Sequence, residues 1–216
     1  MKPERAKITL TLDEAMRRNL FFFNNPVLIQ GLALTPAVAA AVSLKMALIL
    51  SIVAFVLIIP TRILGDLLIG IVPKNLRPLV YAVISSACFI PAFMLVMFLF
   101  GTDARGPENY LALLVVDGIV LSRSEIQARE GVGKSLKNGF LTALGCTMVL
   151  TLVGSLREIL AEGKILGFAL AKSGGFPIAS TIAGGFLIIA LLSALLQWAG
   201  AMYKRAAVGG AKPEDD

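Results

Sequence analysis

Residues 78–100 read PLVYAVISSACFIPAFMLVMFLF and contain no charged side chain. An α-helix of about 20 apolar residues is long enough to cross the hydrocarbon core of a bilayer. Because this run is both long enough and free of charge, it is predicted to form a membrane-spanning helix. The rest of the chain is interpreted outward from this stretch.

The whole chain shares this apolar character. Of its 216 residues, 57% are hydrophobic and only 16% are charged, whereas a soluble domain carries about 25% charged residues. The apolar residues come in blocks separated by short polar stretches, at residues 26–44, 46–60, 78–100, 110–122, 139–156 and 177–202. The second block extends to residue 72 if Arg62 and Asp66 lie at an interface or in a protein-lined interior. The pattern predicts an all-α integral membrane protein with six transmembrane helices in a lipid bilayer.

Composition also excludes several classes of function. The net charge is +6, but no basic stripe interleaved with aromatic residues is present, so nucleic-acid binding is not expected. The absence of His removes imidazole metal ligands and histidine proton relays. Cys88 and Cys146 lie in separate apolar blocks without neighbouring carboxylates, which indicates small core residues and no metal site within this chain.

The distribution of cations predicts the orientation. Fifteen of the 20 Lys and Arg residues fall on one side of the predicted spans. Since cytoplasmic loops are enriched in Lys and Arg, both chain ends are predicted to be cytoplasmic. The predicted regions are a cytoplasmic amphipathic N-terminus at residues 1–24, a six-helix membrane domain at 25–203 and a cytoplasmic tail at 204–216.

The chain divides into two predicted halves, at about residues 25–100 and 108–203. In each half the first span is short or broken, namely NPVLIQGLALTP at residues 25–36 and NYLALLVVDG at residues 109–118. Three spans per half give the halves opposite topology, so the pattern favours an inverted 3+3 repeat with a site near the membrane midplane. The alternative is that Gly and Pro are simply frequent in transmembrane helices.

Asp117 is the most informative single residue. A carboxylate inside an apolar run costs about 3 kcal/mol on insertion scales, which favours a function such as Na⁺ binding, proton carriage or pairing with another subunit. The alternative is a neutral acid in an interhelical hydrogen bond. Thr35 and Pro36 end the first broken stretch, because Pro36 removes a backbone hydrogen bond. They predict either a half-helix that points at Asp117 and Gly118 or a simple kink.

Three motifs resemble the small membrane subunits of Rnf and Nqr complexes, most closely the RnfE/NqrD branch. They are NNPVLIQGLALTP at residues 24–36, LVVDGIVLSRSE at 114–125 and LVGSLREILAEGKILG at 152–167. Within the last motif, Arg157 and Glu158 are predicted to form an interfacial pair. The resemblance implies a multi-pass subunit of the bacterial or archaeal cytoplasmic membrane, paired with an RnfA/NqrE-like partner of opposite orientation.

The resemblance also implies a function. The complexes of this family couple electron transfer, between ferredoxin and NAD or from NADH to quinone, to Na⁺ or H⁺ movement. This chain is expected to be a non-catalytic subunit of such a translocase, associated with further Rnf/Nqr-type subunits. The residues leave two alternatives, an independent ion or solute transporter with Asp117 at its midplane and a purely structural membrane subunit.

A cofactor is part of what the resemblance implies. The family pair holds a [2Fe-2S] cluster between its members, with one Cys from the first broken helix and one from the fourth span of each. Here Thr35 and Gly118 stand at those positions. Glycine has no side chain and a threonine hydroxyl is a poor substitute for thiolate, so this chain is expected to lack its own iron–sulfur ligands.

Overall fold

The computed structural model describes residues 25–68, 70–121, 131–169 and 175–209. Five α-helices lie in these ranges: α1 (Leu44–Leu68), α2 (Arg77–Phe100), α3 (Glu108–Leu113), α4 (Val132–Glu162) and α5 (Ile182–Gly209). All but α3 are long and apolar enough to cross a membrane. The prediction of a helical, multi-pass membrane protein is therefore confirmed. The predicted amphipathic N-terminus at residues 1–24 lies outside the described residues.

The long helices differ from the predicted spans at their ends. Helix α1 continues through Pro60 to Leu68, so Arg62 lies inside the helix and is buried. Helix α4 is longer than the predicted block 139–156 in both directions. Helix α5 begins at Ile182, because Pro177–Ser180 forms a separate 3₁₀ turn, and it runs to Gly209 into the predicted tail.

The first and fourth predicted spans are irregular. The first broken segment, residues 25–43, consists of turns, a π-helical stretch at Pro36–Ala40 and a bend before α1. The second broken segment, residues 108–121, passes from α3 through a 3₁₀ turn at Leu114–Val116 to extended backbone at Asp117, followed by helical residues. The described residues thus contain four full-length helices and two broken segments where six helices were predicted.

The four long helices differ in how much of their surface the protein covers. In α1 and α4, 56% and 50% of the most apolar window is buried, against 17% for the span containing α2 and 22% for that containing α5. The largest helix interface is between α1 and α4. Helices α1 and α4 therefore form the centre, and α2 and α5 present apolar side chains such as Phe98 and Trp198 outward. A short hairpin, β1 (Lys164–Ile165) and β2 (Phe168–Ala169), follows α4.

Gly154 permits the close approach of α4 to the start of α1. A Cβ atom at this position would lie 2.7 Å from the Ala47 Cβ and 2.8 Å from the Ser43 carbonyl oxygen. Real Cβ atoms essentially never come this close to another heavy atom, so a larger residue would force the backbones apart.

Replacing Gly154 with alanine is therefore expected to destabilise the protein by about 1–3 kcal/mol, the usual cost of overpacking a core. The midpoint of thermal unfolding in a mild detergent measures the effect. Gly133, also on α4, has no atom within 4 Å of the corresponding position. Gly133→Ala is the matched control and should leave the midpoint unchanged or raise it, because alanine favours a helix over glycine by about 1 kcal/mol. Equal midpoints for the two variants would contradict this account of the α1–α4 contact.

Candidate functional site

The Asp117 carboxylate joins the two broken segments. Its Oδ1 atom accepts a hydrogen bond from the Ala33 backbone N–H at 2.9 Å, across 84 residues of chain. The same atom accepts a second bond from the Ile119 N–H, also at 2.9 Å. Asp117 has extended backbone and precedes helical residues 118–121, so it acts as the N-cap of that helix. One carboxylate oxygen therefore starts the second segment's helix and holds the first segment against it.

The first broken segment has an unusual backbone where it meets Asp117. Ala33 has φ +56° and Gly31 has φ +68°. Positive φ is common for glycine but costs a residue with a Cβ about 1–2 kcal/mol. Ala33 is buried, and its N–H is the group bonded to Asp117. The strained residue is thus held by the contact between the segments, which is typical of backbone at functional sites.

Gly118 extends the contact between the segments. A Cβ atom at this position would lie 3.0 Å from the Leu32 Cδ2 atom. Gly118 itself is half-buried. A side chain at position 118 is therefore compatible with the structure only if the end of the flexible Leu32 side chain shifts.

Thr35 and Pro36 lie in the first turn of the helical part of the first broken segment, which begins at Leu34. Thr35 is exposed and makes no capping hydrogen bond, whereas Pro36 is buried and is the first residue of the π-helical stretch. Thr35 follows Ala33 by two residues, so their Cα atoms are at most about 7.6 Å apart. The structure thus brings Asp117 and Gly118 against Ala33 and Leu32. Thr35 and Pro36 follow these two residues along the chain, and their place in a site stays a prediction.

Sequence reasoning did not identify Asn25, which joins the first broken segment to α4. Its Oδ1 atom accepts hydrogen bonds from the N–H groups of Val27 and Leu28, and its Nδ2 atom donates to the Gly145 carbonyl at 3.0 Å. Asn followed by Pro is an N-cap signal, so the local role was predictable. The hydrogen bond from Asn25 to Gly145 on α4 was not predictable, since the two residues are 120 positions apart in the chain.

Cys146 is the residue after Gly145 on α4. It is fully buried, as expected of a core residue. Through Gly145, helix α4 is bonded to the start of the first broken segment.

Arg157 holds the far end of the first broken segment. It is fully buried, and within the described residues its guanidinium donates to backbone carbonyls only. Nη1 bonds the carbonyls of Val38 at 2.6 Å and Ala41 at 3.2 Å, where the π-helical stretch ends. Nε and Nη2 bond three consecutive carbonyls that precede α5, those of Ala179, Ser180 and Thr181. Irregular backbone inside a membrane must have its polar groups satisfied by protein, and Arg157 satisfies these.

Glu158 satisfies backbone N–H groups in the way that Arg157 satisfies carbonyl groups. Its two carboxylate oxygens accept bonds from the N–H of Leu44, at the start of α1, and of Leu166, in the β1–β2 turn, both at 2.8 Å. The prediction that Arg157 and Glu158 form an interfacial pair is therefore wrong. In the part of the chain that the structure describes, each side chain bonds backbone groups of distant segments, and both are buried.

The residues at the meeting point do not fit an iron–sulfur cluster. Thr35 offers a hydroxyl and Gly118 offers no side chain. Cys146 is enclosed in the core and Cys88 lies on α2, in neither broken segment. Among the described residues no group of three or more His, Cys, Asp or Glu side chains is arranged to hold a metal ion.

Comparison with known proteins gives relatives over most of the chain. It is 30% identical over 178 residues to a subunit of the Na⁺-translocating ferredoxin:NAD⁺ oxidoreductase complex of Acetobacterium woodii, which covers 81% of this chain and 90% of that protein. It is 31% identical over 189 residues to a subunit of the ion-translocating oxidoreductase complex of Shewanella oneidensis, which covers 80% and 81%. The subunit of the same name from Shewanella piezotolerans is 34% identical over 149 residues, which covers 66% and 62%.

A family profile agrees with these relatives. The profile described as "Rnf-Nqr subunit, membrane protein" matches residues 15–193. This range includes both broken segments, the Asp117 contact and the Arg157 cluster of hydrogen bonds. With relatives of about this identity over four fifths of its length and a profile match over most of it, the chain belongs to the Rnf-Nqr family of membrane protein subunits.

Proposed function

We propose that this chain is an integral membrane subunit of an Rnf/Nqr-type electron transport complex that couples redox chemistry to Na⁺ or H⁺ translocation. The observation that carries the proposal is the family match over residues 15–193, within which the two broken segments meet at Asp117. The relatives bear the names of subunits of such complexes. Broken helices that meet inside a membrane are a recurrent way of building ion sites.

The exposed residues of the broken segments are evidence in favour of a partner subunit that covers them. Gly31 and Thr35 are exposed in the first segment, and Val116 is 57% exposed in the second. Irregular backbone at membrane depth is tolerated only where protein covers it or where it lines a cavity. An RnfA/NqrE-like subunit is the proposed cover, with further Rnf/Nqr-type subunits around it in the bacterial or archaeal cytoplasmic membrane.

An inverted 3+3 repeat is part of the proposal. Each half has a broken segment followed by two long helices, and the central pair α1 and α4 are then the equivalent second spans. Both carry a buried arginine less than two turns before their last residue, Arg62 and Arg157. In this arrangement the excess of Lys and Arg on one side supports cytoplasmic N- and C-termini.

The proposed role of the site depends on Asp117 rather than on iron. One oxygen, Oδ1, is used by two backbone N–H groups, and Oδ2 has no hydrogen-bond partner among the described residues. The half-buried carboxylate is therefore able to accept a proton or a cation while it holds the broken segments together. Thr35, Pro36 and Gly118 complete the proposed midplane site.

Co-purification tests the proposed assembly. A tagged chain, expressed in its own host and extracted in a mild detergent, is expected to bring down an RnfA-like membrane subunit and other subunits of the complex. A stable solitary protein would contradict the proposal. Ion flux by the purified chain alone in liposomes, lost in Asp117→Asn, would instead favour an independent transporter.

A Thr35→Cys/Gly118→Cys double variant tests the cofactor. In the purified complex the double variant is expected to gain iron and a reducible [2Fe-2S] signal in electron paramagnetic resonance, if the partner supplies the other two thiolates. A Cys88→Ala/Cys146→Ala variant is the control and should have the iron content of the wild type. Loss of a cluster signal in this control would show that the native cysteines bind iron, and would contradict the proposal.

A further inference from the structure

A polar zone occupies one end of the contact between α1 and α2. The helices are antiparallel, and a Cβ atom at Gly65 would lie 2.5 Å from the Tyr81 Cε1 atom, so these two residues face each other. One helical turn further into the membrane, the same faces present Thr61 on α1 and Ser85 on α2. Thr61 and Ser85 are fully buried. We call this contact, from Arg77 to Ser85 on α2 and from Gly65 to Thr61 on α1, the α1–α2 seam.

The two hydroxyl groups in the seam lack hydrogen-bond partners. Neither Thr61 Oγ1 nor Ser85 Oγ has a partner among the described residues. Other hydroxyls in the long helices bond the carbonyl four residues earlier, as Ser51, Ser86 and Thr147 do at 2.7–2.9 Å. This local bond is the usual solution for Ser and Thr in transmembrane helices. Thr61 and Ser85 forgo it and leave two buried polar groups facing the seam.

An unsatisfied buried hydroxyl costs about 1–3 kcal/mol, and internal water is the usual partner of buried polar groups that no protein group satisfies. We propose that Thr61 and Ser85 bind water in a hydrated inlet along the α1–α2 seam. The Tyr81 ring closes this inlet at the end of the seam nearest Arg77. The distance along α2 from Arg77 to Ser85 is about 12 Å at 1.5 Å per residue. The inlet thus brings water from the helix end well into the membrane.

The charges around the seam disfavour a cation. Arg62 and Arg77 are both buried at its borders, and the Arg62 guanidinium donates to the Thr142 hydroxyl at 3.2 Å. Asp66, half-buried on α1, is the carboxylate of this region, so two cations stand against one anion among the described residues. Inside a protein, like charges repel far more strongly than in water. The inlet therefore admits water and disfavours Na⁺.

Tyr81 is positioned to close the inlet. A crevice of about 150 Å³ lies at the end of the seam nearest Arg77, and it is too narrow for a water molecule in this structure. It is lined by Gly65, Leu68, Val72, Arg77, Val80 and Tyr81. Tyr81 lies one turn before Ser85 on α2, with its ring against Gly65, so its ring lies between the crevice and the two hydroxyls. Water enters when this ring moves.

Cysteine labelling tests the proposal in the full chain in native membranes. Single cysteines are introduced into a Cys88→Ala/Cys146→Ala background and treated with a membrane-impermeant maleimide, which reacts with the thiolate and hence needs water. Ser85→Cys is expected to react about tenfold faster than Ser86→Cys, its neighbour at the same depth on the outer face of α2. Lys74→Cys, in the exposed turn before α2, is the control for reagent access.

A second substitution tests the gate. Adding Tyr81→Ala to Ser85→Cys is expected to increase the labelling rate further and to leave that of Ser86→Cys unchanged. Thr61→Cys probes the same inlet from α1 and should react like Ser85→Cys, which keeps the test valid if one variant fails to fold. If neither Ser85→Cys nor Thr61→Cys reacts while Lys74→Cys does, the seam is dry. Equal rates at positions 85 and 86 would also overturn the proposal, because depth alone would then set the reaction.

Discussion

Replacing Arg157 with alanine is expected to destabilise the protein by about 4 kcal/mol and to abolish assembly of the complex. The substitution removes five hydrogen bonds from one fully buried side chain. The carbonyls of Val38 and Ala41 would lose their bonds to the guanidinium at the end of the first broken segment. A buried polar group without its partner costs about 1–3 kcal/mol. The measurements are the midpoint of thermal unfolding in a mild detergent and the yield of co-purified partner.

Two further variants make this test specific. Arg157→Lys keeps the charge but replaces the planar guanidinium with a point charge that has three donors, so it is expected to recover only part of the loss. Arg105→Ala removes an exposed arginine and should change neither the midpoint nor the yield. If Arg157→Lys were as stable as the wild type, charge alone would suffice. The carbonyl bonds would then not be what holds the first broken segment.

The broken segments themselves could be predicted from the sequence, because the residues that break a helix act locally. Pro36 lacks a backbone N–H, Gly31 takes up a positive φ, and Asp117 caps a new helix with its own side chain. Each of these effects is determined within a few residues. For the same reason the apolar blocks located the four long helices well, although Pro60 did not end α1 as a soluble helix would suggest.

The contacts between the segments could not be predicted. Arg157 bonds carbonyls 116 and 119 residues away, and no local pattern links an arginine to particular carbonyl groups. Ala33 has a positive φ although alanine does not favour it, because the bond to Asp117 and the packing around it hold this conformation. Sequence reasoning therefore located the two broken segments but not the bonds that join them.

Asp117 is expected to show two separable effects. Asp117→Ala removes the acceptor of the Ala33 and Ile119 N–H groups, so we expect a destabilisation of about 3 kcal/mol and loss of the assembled complex. Asp117→Asn keeps a carbonyl oxygen at the position of Oδ1, removes the charge and replaces Oδ2 with an NH2 group. It is expected to assemble normally, with a stability within about 1 kcal/mol of the wild type. The amount of co-purified partner and the midpoint of thermal unfolding distinguish the two.

The activity of the Asp117→Asn complex then tests the ion site. If the carboxylate takes up a proton or a cation, ion transport coupled to electron transfer should fall at least about tenfold in membrane vesicles, while the complex remains intact. Asp103→Asn, which neutralises the exposed carboxylate paired with Lys45, is the matched control and should transport normally. Full transport by the Asp117→Asn complex would mean that Asp117 only links the two broken segments. Because Oδ1 alone makes that link, such a result would leave the fold described here intact and would place the ion path elsewhere in the complex.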